Sequence, residues 1–189
     1  MFKHVPNILT IVRFILIPPI LLSISKEQYI LAFIILTISG ITDILDGFIA
    51  RKFNFITNFG KLMDPLADKS TQVSILVVLS LKNIIPFWII IIVVLKEFAM
   101  IAGASFLYGK ELVVSSRWYG KAATVIFYFA IISSLLIRYF NIENNSILYH
   151  IDNYLYYLAL LATLFSFIMY FKVFYVQGYF KKDYLTIKK

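Results

Sequence analysis

The sequence predicts an all-α integral membrane protein with six transmembrane helices and both termini in the cytoplasm. Three observations carry this expectation. The chain of 189 residues is 61% hydrophobic with a mean hydropathy of +0.85, above the roughly 45–50% apolar content of an ordinary soluble domain. Its apolar residues fall into six runs, each close to the about 20 residues that cross a bilayer as a helix. Its lysines and arginines divide unevenly between alternate connections, as they do in polytopic proteins.

The first run, about Asn7–Ile24, follows Met1-Phe2-Lys3-His4-Val5-Pro6. No small-residue cleavage site follows it, and Pro18-Pro19 interrupts it, so it reads as a retained span and not as a secretory signal. The second run is about Tyr29–Phe53 and the third about Gly60–Leu81, and the connection between them is short. The fourth, about Ile84–Tyr108, contains Pro86 near its start; the three prolines read as kinks or helix starts. The fifth and sixth are about Tyr119–Phe140 and Tyr149–Val176. No flexible linker separates the runs, so residues 1–189 form a single membrane domain with no room for a soluble one.

Six spans place both termini on one side. Lys3, Arg51, Lys52, Lys61, Lys110, Arg117, Lys121, Lys172, Lys181, Lys182, Lys188 and Lys189 fall on that side, against Lys26, Lys82 and Arg138 on the other, a split of 12 to 3. The basic side is the cytoplasmic one. Tyr29, Trp88, Tyr108, Trp118, Tyr119, Tyr139 and Tyr149 lie near predicted helix ends, as interfacial aromatic belts do. The net charge of +8 is spread along loops; it reports topology and contact with anionic lipid, not the clustered cationic face of a nucleic-acid binder. The absence of cysteine excludes disulfides and thiolate metal sites.

Four of the ten acidic residues, Asp43, Asp46, Asp64 and Asp68, fall inside the second and third apolar runs. Carboxylates in a bilayer are costly and mark function by default. At about 100° per residue, Asp43, Asp46, Gly47 and Ala50 share one stripe of a helix, and Gly60, Asp64 and Asp68 follow one i, i+4 ridge of the next. The short loop predicts that these two helices are antiparallel neighbours whose carboxylates converge near the cytoplasmic end. Arg51 and Lys69 are nearby, but two cations do not balance four anions. A hard divalent cation does, because oxygen-only ligation suits Mg²⁺, Mn²⁺ or Ca²⁺. The rival readings are a salt-bridge network that only holds helices together, a poor source of stability, and a carboxylate-lined ion or proton transporter. Nothing in the sequence resembles two related halves with interrupted helices, which counts against the transporter.

The string Asp43-x-x-Asp46-Gly47-x-x-Ala50-Arg51, eight residues, then Gly60-x-x-x-Asp64-x-x-x-Asp68 resembles the signature of the CDP-alcohol phosphotransferase family, with eight specified residues across 26 positions. The resemblance implies a membrane enzyme that moves a phosphatidyl group from CDP-diacylglycerol onto a small alcohol, releasing CMP. It implies Asp43, Asp46 and Asp64 as metal ligands, Asp68 as a further ligand and the general base, and Mg²⁺ or Mn²⁺ as two bound ions. It implies that Gly47, Ala50 and Gly60 admit the nucleotide and that Arg51 meets the diphosphate. It also implies a homodimer in the plasma membrane with the active site facing the cytoplasm.

Pro6-Asn7-Ile8-Leu9-Thr10-Ile11-Val12-Arg13 resembles the opening of several branches of the family, where Asn7, Thr10 and Arg13 would shape the nucleotide pocket. The alternative reading is an N-cap at Asn7 and an arginine snorkelling to the interface. Gly120-Lys121-Ala122-Ala123-Thr124 and Gly60–Lys69 are similar to segments of the phosphatidylglycerophosphate synthase branch, which implies glycerol 3-phosphate as acceptor with its phosphate held by Lys96, Arg117 and Lys121. Lys96 stands where that branch carries an arginine, so it would attract a phosphate as a point charge without the planar fork. For Lys96 the competing reading is an interaction with Glu97. The CMP-forming cardiolipin synthase branch shares Asp64-Pro65-Leu66-Ala67-Asp68-Lys69, and an inositol-phosphate acceptor is a further alternative.

Overall fold

The computed structural model describes residues 5–53, 58–108, 118–142 and 150–176; within these, the side chains of residues 5–7, 50–51, 58–62, 65, 100–108 and 173–176 are not described. The described residues form six helices: α1 (Val5–Ser25), α2 (Tyr29–Lys52), α3 (Asn58–Leu81), α4 (Phe87–Tyr108), α5 (Trp118–Tyr139) and α6 (Ile151–Val176). These match the six apolar runs to within a few residues. Four of them are long and apolar enough to cross a membrane, over Ile8–Ser25, Tyr29–Ile49, Trp118–Tyr139 and Ile151–Lys172. α3, of 24 residues, is about 36 Å long at 1.5 Å per residue, but it carries Lys61, Asp64, Asp68 and Lys69 in its first half.

The helix ends follow from local chemistry. α1, α3 and α5 close in the same way, with a residue of positive φ just past the helix: Glu27 (61°), Asn83 (55°) and Asn141 (49°). In each, two amides return to the last turn, as in Gln28 N to Ser23 O at 2.8 Å and Glu27 N to Ile24 O at 3.0 Å. This is the double hydrogen bond of a Schellman motif, and asparagine is among the few residues that tolerate its left-handed position. Glu27 takes the same conformation, and its carboxylate meets Lys82 of the α3–α4 turn at 2.9 Å. α4 starts at Phe87, three residues later than the apolar run, because the left-handed Asn83 and then Pro86 stand between the two helices. Pro18 and Pro19 lie inside α1, which continues through them.

Packing is uneven along the bundle. Ile20 and Ile24 of α1, Ile75, Leu76 and Leu79 of α3, Ile89 and Val93 of α4, Ile131 and Leu135 of α5 and Tyr156 of α6 are all essentially inaccessible and form one apolar core. These residues come from the C-terminal halves of α1, α3 and α5 and the N-terminal halves of α4 and α6. The dry core therefore occupies one end of the bundle, and the aspartates of α2 and α3 lie towards the other. The outward faces carry exposed Ile34, Ile38, Ile44, Leu95, Leu161 and Ile168, an apolar surface of the kind a bilayer covers.

At the core end, Asp152 is fully buried and accepts hydrogen bonds from Arg138 at 2.7 Å and Ser134 at 2.9 Å. This ties the start of α6 to the end of α5.

One expectation is corrected. α2 and α3 were predicted as direct neighbours; among the described residues α1 packs extensively against both of them, and they do not pack extensively against each other. Two acidic faces repel when apposed. α1 brings Arg13 between them.

Candidate active site

The polar end is built from the first turns of α1, α3 and α5 and the last turns of α2. Thr10 and Arg13 are one turn apart on α1, and both are buried, at 1% and 3% exposure. Arg13 faces three of the four aspartates. Its Nη1 pairs with Asp43, and its Nη2 lies 3.4 Å from Asp46 Oδ2 and 3.1 Å from Asp64 Oδ1. The Thr10 hydroxyl stands 3.2 Å and 2.7 Å from the same two oxygens. Asp46 is deeply buried, while the side chains of Asp43 and Asp64 are about half exposed. The arrangement is a cluster of three carboxylates, one buried and two half exposed, that share the Arg13 guanidinium.

Asp68 takes a partner of its own. Its Oδ1 accepts a hydrogen bond from the Tyr128 hydroxyl of α5 at 2.9 Å. The structure thus divides the four aspartates into three that share a cation and a fourth held by a phenol.

The third set of groups lies beside Asp68. Lys69 Nζ meets Glu97 of α4 at 3.2 Å and Thr124 of α5 at 3.1 Å, and Lys96 Nζ meets the same Glu97 at 2.8 Å. Two ammonium groups are therefore gathered by one mostly buried carboxylate, and one of them also donates to the Thr124 hydroxyl. Lys121 is exposed at the start of α5, and Gly47 is partly buried on α2.

Several expectations change with this geometry. Arg13 does not snorkel: it is buried because three anions hold it. Asn7 is not an N-cap, because α1 begins at Val5 and Asn7 is inside its first turn. Lys69, read as near the aspartates, is held by Glu97 and Thr124. The alternative partner named for Lys96, Glu97, is the one found. The side chains of Asn7, Ala50 and Arg51, the surroundings of Gly60, and all of Arg117 lie outside the described residues. Sequence reasoning missed Tyr128, one of 13 tyrosines, and it missed Arg13 as the partner of the acids.

The donor chemistry of Asp43, Asp46, Asp64 and Thr10 is oxygen only, the set a hard divalent cation prefers. Among the described residues, no three acidic or histidine side chains stand in an arrangement that could hold a metal ion; the guanidinium lies among them. The residues suit such an ion by type and charge, and Arg13 takes the central position.

Comparison with known proteins agrees with the motif. The model of the CDP-alcohol phosphatidyltransferase family matches residues 3–173. The chain is 33% identical over 136 residues to the CDP-diacylglycerol–glycerol-3-phosphate 3-phosphatidyltransferase of Bacillus subtilis, covering 64% of this chain and 70% of the relative. It is 32% identical over 170 residues to the protein of the same name from Aquifex aeolicus, covering 88% and 93%. A probable CMP-forming cardiolipin synthase of Drosophila melanogaster is 38% identical over 103 residues, which cover 54% of this chain and 32% of that protein.

Proposed function

The chain belongs to the CDP-alcohol phosphatidyltransferase family, and from that premise we propose that it transfers the phosphatidyl group of CDP-diacylglycerol to sn-glycerol 3-phosphate, giving phosphatidylglycerophosphate and CMP. It is a CDP-diacylglycerol-dependent phosphatidyltransferase, so the transporter reading is set aside. The observation that carries the proposal is the division of labour among the aspartates. Three share one cation, and the fourth is held by Tyr128 next to a cluster of lysines.

In this reading Asp43, Asp46, Asp64 and Asp68 hold two Mg²⁺ or Mn²⁺ ions, which when bound neutralise the diphosphate and polarise the phosphorus under attack. The small residues Gly47, Ala50 and Gly60 admit the nucleotide to the helix backbone, since no side chain blocks the approach. Arg51 meets the diphosphate, with Asn7, Thr10 and Arg13 beside it. Asp68 accepts the proton of the acceptor hydroxyl as that oxygen attacks phosphorus, and the bond to the CMP oxygen breaks. Tyr128 occupies Oδ1 of Asp68, which directs Oδ2 to the proton. Lys96, Arg117 and Lys121 hold the phosphate of the acceptor. The Glu97 carboxylate keeps Lys96 in place until that phosphate arrives.

The protein lies in the plasma membrane with all six helices spanning it, both termini in the cytoplasm and the acidic end facing the cytoplasm. The bias of basic residues supports this orientation. It works as a homodimer. The Drosophila relative favours a second reading, a CMP-forming cardiolipin synthase with phosphatidylglycerol as acceptor. That acceptor has no terminal phosphate monoester for the lysines to hold.

One assay decides. Purified protein is given CDP-diacylglycerol, Mg²⁺ and either glycerol 3-phosphate, phosphatidylglycerol or inositol phosphate, and CMP is measured. Release with glycerol 3-phosphate alone is expected, with complete loss in EDTA and recovery on adding Mg²⁺ or Mn²⁺. Release with phosphatidylglycerol alone would establish the second reading. Activity that persists in EDTA would refute the metal.

A further inference from the structure

We propose that Arg13 and a divalent cation compete for the carboxylates of Asp43, Asp46 and Asp64, so that binding the cation passes the Arg13 guanidinium to the phosphate of the substrate. The proposal rests on the metal-dependent reading above and adds a role for one residue of the site.

The first support is the number of anions on one side chain. Arg13 is 3% exposed, and its two terminal nitrogens serve Asp43 on one prong and Asp46 and Asp64 on the other. Three carboxylates on one guanidinium leave this group two charges negative. Arginine does not relieve the mismatch by losing a proton, because it stays charged in proteins. The group is therefore under-neutralised as it stands, and a doubly charged cation suits it better than a singly charged one.

The second support is independent. The Nε–H of Arg13 is buried and has no hydrogen-bond partner among the described residues. A buried donor without an acceptor is destabilising, and Nε is the one guanidinium nitrogen that no aspartate contacts, since Nη1 and Nη2 are both engaged. Nε together with a terminal nitrogen forms the two-pronged donor that matches two oxygens of a phosphate. If a cation took the carboxylates, the terminal nitrogens would be released and the Nε-side pair of donors would be complete for a phosphate.

The third support is what remains when Arg13 leaves. Thr10 also reaches Asp46 Oδ2 and Asp64 Oδ1 from the same face of α1, so these two carboxylates stay oriented without the guanidinium. Electrostatics then sets the order of events. Arg13 would be repelled from carboxylates that hold a divalent cation, and the substrate diphosphate would offer it oxygens in their place. Cation and diphosphate would bind cooperatively, and by linkage each would tighten the other equally.

The test is Mn²⁺ affinity, read by electron paramagnetic resonance on protein purified in detergent, with and without CDP. Removing the competitor in Arg13→Gln should tighten Mn²⁺ binding without nucleotide by about tenfold or more, equivalent to about 1.4 kcal/mol. The same variant should show a smaller tightening of Mn²⁺ by CDP than the wild type. Unchanged or weaker Mn²⁺ affinity in Arg13→Gln would overturn the proposal and leave the metal reading standing. No Mn²⁺ binding by the wild type would overturn both. If Arg13→Gln does not fold, Arg13→Lys serves: a point charge on a different stem competes less well, so Mn²⁺ should bind it measurably more tightly than the wild type, and equal affinity refutes the idea.

Discussion

Replacing Tyr128 with phenylalanine removes one oxygen atom and leaves the ring, so the packing of α5 against α3 is preserved. The oxygen lost is the one that donates to Asp68 Oδ1 at 2.9 Å. A hydrogen bond to a charged acceptor is worth about 1.5–3 kcal/mol. Asp68 is only partly buried, so water replaces some of the lost interaction, and the low end applies. About 1.5 kcal/mol expressed in the transition state lowers kcat about tenfold, since each 1.36 kcal/mol is a factor of ten. The assay is CMP release from CDP-diacylglycerol in mixed micelles with both substrates varied. The expected result is a fall in kcat with both KM values within about twofold of wild type, because a positioning residue acts on the chemical step and not on binding. Asp68→Asn sets the scale, since losing a general base typically costs about 10²–10⁴ in rate. A kcat unchanged in Tyr128→Phe, or a KM that rises in its place, would refute the positioning role.

Three further outcomes follow from the same contacts. Lys96→Met should raise the KM for glycerol 3-phosphate about tenfold, the loss of about 1.4 kcal/mol, and leave that for CDP-diacylglycerol unchanged. The fold should survive because Glu97 keeps Lys69 at 3.2 Å; an unaltered acceptor KM would remove Lys96 from the acceptor site. Asp152→Ala removes the buried carboxylate that pairs with Arg138 at 2.7 Å, and breaking a buried pair costs about 3–5 kcal/mol. Thermal denaturation in detergent should show a large drop, while kcat measured well below the transition should be unaffected, because this pair lies at the end of the bundle away from the aspartates. Gly120→Leu places carbon where a Cβ already lies 3.1 Å from the Tyr170 hydroxyl. Tyr170 is buried and packs edge-on against Tyr119 at 4.9 Å, so it has little room to yield. Overpacking of this kind costs about 1–3 kcal/mol, and an unchanged midpoint would show that α5 and α6 separate more easily than the contact implies.

The six helices and their limits were legible in the chain because they depend on local properties. Apolar run length marks a span and Pro86 a helix start, while the left-handed Asn83 and Asn141 that close α3 and α5 came from the structure. The grouping of Asp43 with Asp46, and of Asp64 with Asp68, was legible for the same reason, since spacings of three and four are set by the helix itself. The family was legible because its motif is contiguous.

What each of these groups touches was decided elsewhere. Asp46 lies 33 residues from Arg13, and Asp64 lies 51 residues from it; Tyr128 is 60 residues from Asp68. No periodicity encodes such pairs. They depend on which helix lies between which others, and the insertion of α1 between α2 and α3 is a property of the packed bundle. The sequence by itself determined the secondary structure, the apolar character and the family of this protein, since near neighbours along the chain settle these. Only the tertiary structure decided that Arg13 joins three aspartates and that Tyr128 holds the fourth. A buried charge takes the partner that packing brings within reach, and that partner comes from a different part of the chain.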